Sequence, residues 1–178
     1  MEFDVIQGDI AEQSADALVN AAGTSLEMGS GVAGALRREA GEQLNEEATE
    51  EGPVDLGEVA VTDAYDLDAE FVIHAAAMPH YGDGEATAES IRDATRNTLE
   101  AADERGCRSV VLPALGCGVA GFNLADGAEI IADEIEEYEP ETIEDVRLIA
   151  YSDEEYDTIR AATGKTGQSE QQSDEADR

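Results

Sequence analysis

The 178-residue chain is long enough to bury one hydrophobic core unaided, and its two cysteines, Cys107 and Cys117, make neither a metal quartet nor a disulfide framework. With 43 acidic against 10 basic residues the net charge is −33, which excludes a general nucleic-acid surface, because neutralising phosphates needs clustered Lys and Arg. A phosphate-bearing ligand must therefore be held mainly by backbone amides.

In chain order, short β-type runs are read at Phe3 to Gln7 and Ala17 to Asn20. A glycine-rich stretch at 29 to 34 follows, and Glu47 to Glu51 has helical character. Two more strand runs lie at Val59 to Thr62 and Phe71 to His74. Glu85 to Arg105 places Ala88, Ile91, Thr95, Thr98 and Ala102 on one side of a helix that the Gly-Cys pair at 106 and 107 ends. After a strand at Ser109 to Leu112, a second glycine-rich stretch leads into Leu124 to Tyr138, where Leu124, Ala128, Ile131, Ile135 and Tyr138 recur at helical spacing. The last strand run is Val146 to Tyr151.

Several strand runs are apolar throughout, as strands covered on both faces are. Strands alternating with helices predict an α/β fold, a three-layer α/β/α sandwich, as one unit over residues 1–163. Residues 164–178, GKTGQSEQQSDEADR, offer almost nothing to bury and are expected to form a disordered acidic tail.

The start MEFDVIQGDI has no basic n-region or long apolar h-region, and no run approaches membrane-spanning length, so a cytoplasmic protein is expected. Nine arginines with a single lysine, Lys165, few aromatics and abundant acids resemble the composition of a halophile's cytosolic protein. Such charge repels itself in dilute buffer and is screened by molar salt.

The most informative feature is an internal echo. Gly29-Ser30-Gly31-Val32-Ala33-Gly34 and Gly116-Cys117-Gly118-Val119-Ala120-Gly121 share the pattern GxGVAG, each after a strand and before a helix. Glycines there admit φ > 0 and close approach of backbone to ligand, while free amides at a helix N-terminus attract phosphate. One copy is weak evidence, since glycines also serve turns; two in matching contexts point to a clamp on a diphosphate. A Rossmann dinucleotide site fits poorly, because eight residues separate Asn20 from Gly29 and no second strand ends in an acid about 20 positions on.

Taken in order, QGDI at 7 to 10, ALVNAA at 17 to 22, SLEMGSGVAGALRREAG at 25 to 41, VIHAA at 72 to 76 and PALGCGVAG at 113 to 121 resemble the macro domain family, over Met1 to about Ala162. The resemblance implies a mixed six-stranded sheet between helices and a cleft at the strand ends that accepts ADP-ribose. By motif match, Asp9, with Ile10 beside it, takes the place of the aspartate that accepts from the adenine amino group. A carboxylate there selects adenine over hypoxanthine, and the competing reading of Asp9 is a helix-cap aspartate. Asn20 matches the first asparagine of the family's VNAAN run, near the distal ribose, and is the one weak candidate for a catalytic residue; a buried asparagine fixing loop backbone is the alternative.

Gly29, Ser30, Gly31 and Val32 match the loop around the distal ribose and diphosphate, and Gly116, Cys117, Gly118, Val119 and Ala120 match the second phosphate loop. Tyr151 matches an aromatic that stacks on adenine in some members, or is a core tyrosine at a strand end. His74 belongs to the structural framework, His80 is a loop histidine, and neither has a metal-ligand partner at useful spacing. Nothing marks Cys117 as a nucleophile.

The pattern departs from hydrolytic members at two places: Gly23 stands where they have the second asparagine, and Ala33 where they have an aspartate. Three functions therefore stand open. The chain hydrolyses ADP-ribosyl esters, on protein or as O-acetyl-ADP-ribose, without metal or cofactor; it is a reader module that only recognises ADP-ribose or an ADP-ribosylated protein or metabolite; or it is a structural protein whose glycine loops make turns. A monomer away from membranes is expected in each case.

Overall fold

The computed structural model describes residues 1–29, 31–80, 84–117 and 121–165. Six strands form one sheet: β1 (Glu2–Gln7), β2 (Ala17–Gly23), β3 (Val59–Asp63), β4 (Phe71–Met78), β5 (Ser109–Leu112) and β6 (Asp145–Ala150). Helices α1 (Gly31–Ala40), α2 (Glu42–Glu51), α3 (Ala88–Glu104), α4 (Leu124–Glu137) and α5 (Asp153–Thr163) connect and flank them, and a 3-10 turn at Ile10–Glu12 follows β1. The sheet order is β1-β6-β5-β2-β4-β3; every neighbouring pair is parallel except β3 with β4. This is the expected three-layer α/β/α sandwich on a mixed six-stranded sheet.

Side chains alternate across a strand, so each strand feeds two cores. On one face Val19, Ile73, Val110 and Leu148 pack with Ile91 and Leu99 of α3, Ile131 and Ile135 of α4 and Ile159 of α5. On the other, Leu18, Val72, Val111 and Ile149 meet Leu36 of α1, Leu44 and Ala48 of α2, and Ile10. Each fully buried Leu or Ile contributes roughly 1.5–3 kcal/mol. α2 brings only Leu44 and Ala48 into the core, so this acidic helix depends on tertiary packing more than on its own propensity.

Element boundaries moved where tertiary pairing overrides local propensity. β2 runs on past Asn20 to Gly23 with a register shift after Ala22, and β4 continues through Ala75, Ala76 and Ala77, small residues that parallel neighbours on one edge and β3 on the other hold extended. α3 starts at Ala88 rather than Glu85, because Thr87 and Ser90 form a reciprocal capping box. The sequence reading did not include α5, whose Ser152 and Glu155 form the same kind of box. Gly164 closes α5 in the left-handed conformation, and Lys165 bridges Glu136 at 3.8 Å and stands 4.9 Å over the Phe3 ring. The rest of the tail, residues 166–178, lies outside the described residues. Among the described residues no helix is long and apolar enough to cross a membrane.

Candidate functional site

β1, β6, β5, β2 and β4 run parallel, so their C-terminal ends open on one edge of the sheet. In open α/β sheets ligands bind in the crevice outside those ends. The segments emerging there carry Asp9, Gly29, Gly31, Val32, Gly116, Cys117 and Tyr151, which topology brings to one edge from four regions of the chain. Ser30, Gly118, Val119 and Ala120 of the expected site lie outside the described residues.

At the β1 and β6 end, Gln7 registers with Ala150, and Gly8 N–H donates to Ala150 O at 2.9 Å, so the segments carrying Asp9 and Tyr151 leave neighbouring strands at the same edge. Asp9 is the N-cap of the 3-10 turn: its Oδ1 accepts from Ala11 N–H at 2.9 Å. The cap reading therefore holds for one carboxylate oxygen. Ile10 is buried. Tyr151 is 75% exposed, which excludes the core-tyrosine reading. Its backbone is anchored, with Tyr151 N–H donating to Glu155 Oε1 at 3.2 Å and its carbonyl accepting from Gln7 Nε2 at 3.4 Å.

The first glycine loop is held from behind. Met28 N–H donates to Asn45 Oδ1 at 3.0 Å and Arg37 Nη1 donates to Met28 O at 2.6 Å, so the two peptide units flanking Met28 are clamped by α2 and α1. Arg37 also donates to both oxygens of Glu42, which fixes its fork. Gly29 and Gly31 are exposed, with nothing within 4 Å of where a Cβ would stand, and Gly31 has φ +64°. Half-buried Val32 lies in the first turn of α1, whose positive end faces the crevice. Arg37 and Asn45 were not among the sequence-derived candidates, since their role depends on contacts 9 and 17 residues away that no local pattern announces.

The second loop is packed differently. A Cβ on Gly116, at φ +78°, would stand 2.7 Å from Ile91 Cγ1 and 2.9 Å from Ala86 Cβ. Cys117 turns its Sγ toward Leu115 O and Asn123 O, and Gly127 leaves room for that sulfur. Burial pushes the Cys117 thiol up to about 11, so little thiolate exists near neutrality. Beyond the loop, Asn123 caps α4 by accepting from Asp126 N–H at 2.9 Å. The Glu85 carboxylate lies against Gly121, which no sequence pattern indicated.

Asn20 is not open to the crevice: it is 1% exposed, and its Nδ2 lies 3.1 Å from His74 Nδ1. His74 Nε2 in turn lies 3.0 Å from Thr62 Oγ1, and burial pushes this imidazole down to about 4, so the ring is neutral. His74 is thus part of the framework, as expected. Among the described residues the carboxylate triad able to hold a metal is Glu2, Asp4 and Asp145, at the opposite ends of β1 and β6, with Asp145 paired to Arg147 at 3.0 Å.

The macro domain family model matches residues 19–131. This chain is a macro domain. A Saccharolobus solfataricus protein is 40% identical over 166 residues, covering 90% of this chain and 92% of that protein. A Mycobacterium tuberculosis protein is 41% identical over 153 residues, covering 86% of this chain, which spans 42% of that relative's length. Among solved structures, an Oceanobacillus iheyensis macrodomain variant with ADPR superposes with a TM-score of 0.81 at 25% identity, covering 90% of each chain. These likenesses cover most of the chain.

Proposed function

We propose that this chain binds ADP-ribose, free or as an ADP-ribosyl group on a protein or metabolite, along the C-terminal ends of its parallel strands. The observation that carries the reading is the order of groups along the edge. An exposed ring and a carboxylate suited to adenine sit at β1 and β6, the second glycine loop follows at β5, and the first glycine loop with an exposed helix N-terminus follows at β2. From β1 to β2 is three strand spacings, about 14 Å. That span exceeds a nucleoside monophosphate and suits a diphosphate carrying a second sugar. A solved macrodomain structure with ADPR supports the same choice of ligand.

Recognition without turnover is the better-supported form of this function. A Cβ at Gly23 would stand 3.0 Å from Pro79 O, and Ala33 is 7% exposed, so neither position admits the polar side chain that hydrolytic members place there without local rearrangement. The working unit in this reading is residues 1–163, acting as a monomer in the cytoplasm.

The test is calorimetric titration of ADP-ribose in molar KCl, with AMP and NAD as controls, followed by incubation with O-acetyl-ADP-ribose and a carboxylate-linked ADP-ribosyl protein. Preference for ADP-ribose over both controls with neither substrate cleaved is the expected result. No binding by the folded protein removes the proposal, and turnover replaces the reader by a hydrolase.

A further inference from the structure

Beside the N-terminal end of β1 lies a cavity of about 250 Å³, whose lining includes Phe3, Ile135, Glu136, Tyr138, Pro140 and Lys165. Its volume is well above what one water needs. Phe3 is the second residue of β1 and Gln7 the last, so this cavity and the strand-end crevice stand at opposite ends of the same strand, about 13 Å apart.

Most of the wall is fixed. Phe3 and Ile135 are buried in the core. Tyr138 Oη donates to Asp103 Oδ2 at 2.6 Å, and the N–H groups of Glu141, Thr142 and Ile143 donate to the same carboxylate at 3.0, 2.9 and 3.1 Å, which pins the turn that carries Pro140. With its proton spent on Asp103, Tyr138 has none to offer an anion.

The charge of the place favours a cation. Tyr138 is the C-cap of α4, and the last turn of this 14-residue helix holds no basic residue while Glu136 and Glu137 add to the negative end of its dipole. An ammonium already stands there. Lys165, the single lysine of the chain, reaches in from beyond the end of α5, with Nζ 4.9 Å over the centre of the Phe3 ring and 3.8 Å from Glu136 Oε2. The ring contact is within cation–π range. The ion pair is longer than the about 2.7–2.9 Å of a charge-assisted hydrogen bond, and its side chains are 31% and 54% exposed, so it holds Lys165 only weakly.

We propose that this cavity is a binding site for a small organic cation of the alkylated ammonium class, and that Lys165 is its tethered internal occupant, displaced when the external cation arrives. The ligand's methyl groups meet Ile135 and Pro140, its charge faces the Phe3 ring and Glu136, and no covalent step is involved. The site is independent of the ADP-ribose reading and stands or falls without it.

The test is NMR titration of the full chain with tetramethylammonium chloride in molar KCl, with equal added KCl and the uncharged tert-butanol as controls. Saturable shifts confined to Phe3, Ile135, Tyr138 and their neighbours are expected from tetramethylammonium alone. Lys165→Gln removes the internal competitor and is expected to tighten tetramethylammonium binding about fivefold, whereas Phe3→Leu and Glu136→Gln are each expected to weaken it by a similar factor. Glu136 is exposed, so its variant keeps the test decisive if Phe3→Leu does not fold. Absence of saturable shifts in both the wild type and Lys165→Gln overturns the site. Equal response to tert-butanol reduces it to an apolar cavity, and weaker tetramethylammonium binding in folded Lys165→Gln overturns the role given to Lys165.

Discussion

The two GxGVAG copies are alike in sequence and unlike in use. In the first, α1 begins at Gly31, inside the motif, so Val32, Ala33 and Gly34 are already helical; in the second, α4 waits until Leu124, beyond the motif. Gly29 and Gly31 face open space, whereas Gly116 is wedged against Ile91 and Ala86, and Gly121 against Glu85. Within the first copy only Gly34 is tightly fitted, its missing Cβ making room for Gly29 O at 2.9 Å. Glycine thus leaves open space in one loop and allows close packing against Ala86 and Ile91 in the other, so a shared motif does not mean a shared energetic role.

The largest expected effect breaks this comparison directly. Gly116→Val combines a β-branched side chain at φ +78° with a clash against Ile91, and should cost about 3 kcal/mol or more, several degrees to about 10 °C in Tm. Gly29→Ala, in open space, should leave Tm nearly unchanged and instead weaken ADP-ribose binding. Thermal melts of the two variants in molar KCl that shift equally would show that the loops are built alike after all.

The next probe is His74, buried on β4 between Asn20 and Thr62. Burial holds its pKa at about 4 against an ordinary 6.5, so the unfolded chain takes up a proton first. The stability from keeping the ring neutral is complete above pH 6.5 and is lost as pH falls toward 4, about 2 kcal/mol being gone by pH 5. Relief of acidic self-repulsion acts in the opposite sense at low pH. The check is therefore the difference in stability between the wild type and His74→Asn from pH 7.5 to 5, which should close as pH drops.

A smaller effect is expected at the nucleoside end. Asp9→Asn keeps an oxygen for the Ala11 N–H cap but loses the charge, so Tm should hold while ADP-ribose affinity falls about tenfold. Unchanged affinity by calorimetry would remove the adenine assignment. The smallest is at Cys117, whose thiol is raised to about 11 and turned toward Leu115 O and Asn123 O: iodoacetamide at pH 7.5 should label the folded protein far more slowly than the unfolded one.

Much of this molecule was legible from residue order. Apolar runs located all six strands, helical spacing located α3 and α4, and the succession from QGDI to PALGCGVAG pointed to the family that the comparisons then showed. Misjudged ends, such as β4 stopping at His74, arose where alanines are held extended by neighbours rather than by their own preference. α5 escaped because its evidence is one capping box and the single buried side chain of Ile159.

What residue order determined, then, was everything carried by local periodicity and by motif: the element succession, the two glycine loops and the residues they place at strand ends. Tertiary structure alone decided that Asn20 turns its amide into the core against His74, that Arg37 and Asn45 clamp Met28, and that Gly116 is needed for packing where Gly29 is open. Each of these depends on a partner brought near by the parallel crossovers. Hydrogen-bond direction and steric room are properties of such pairs, and a linear pattern does not contain them.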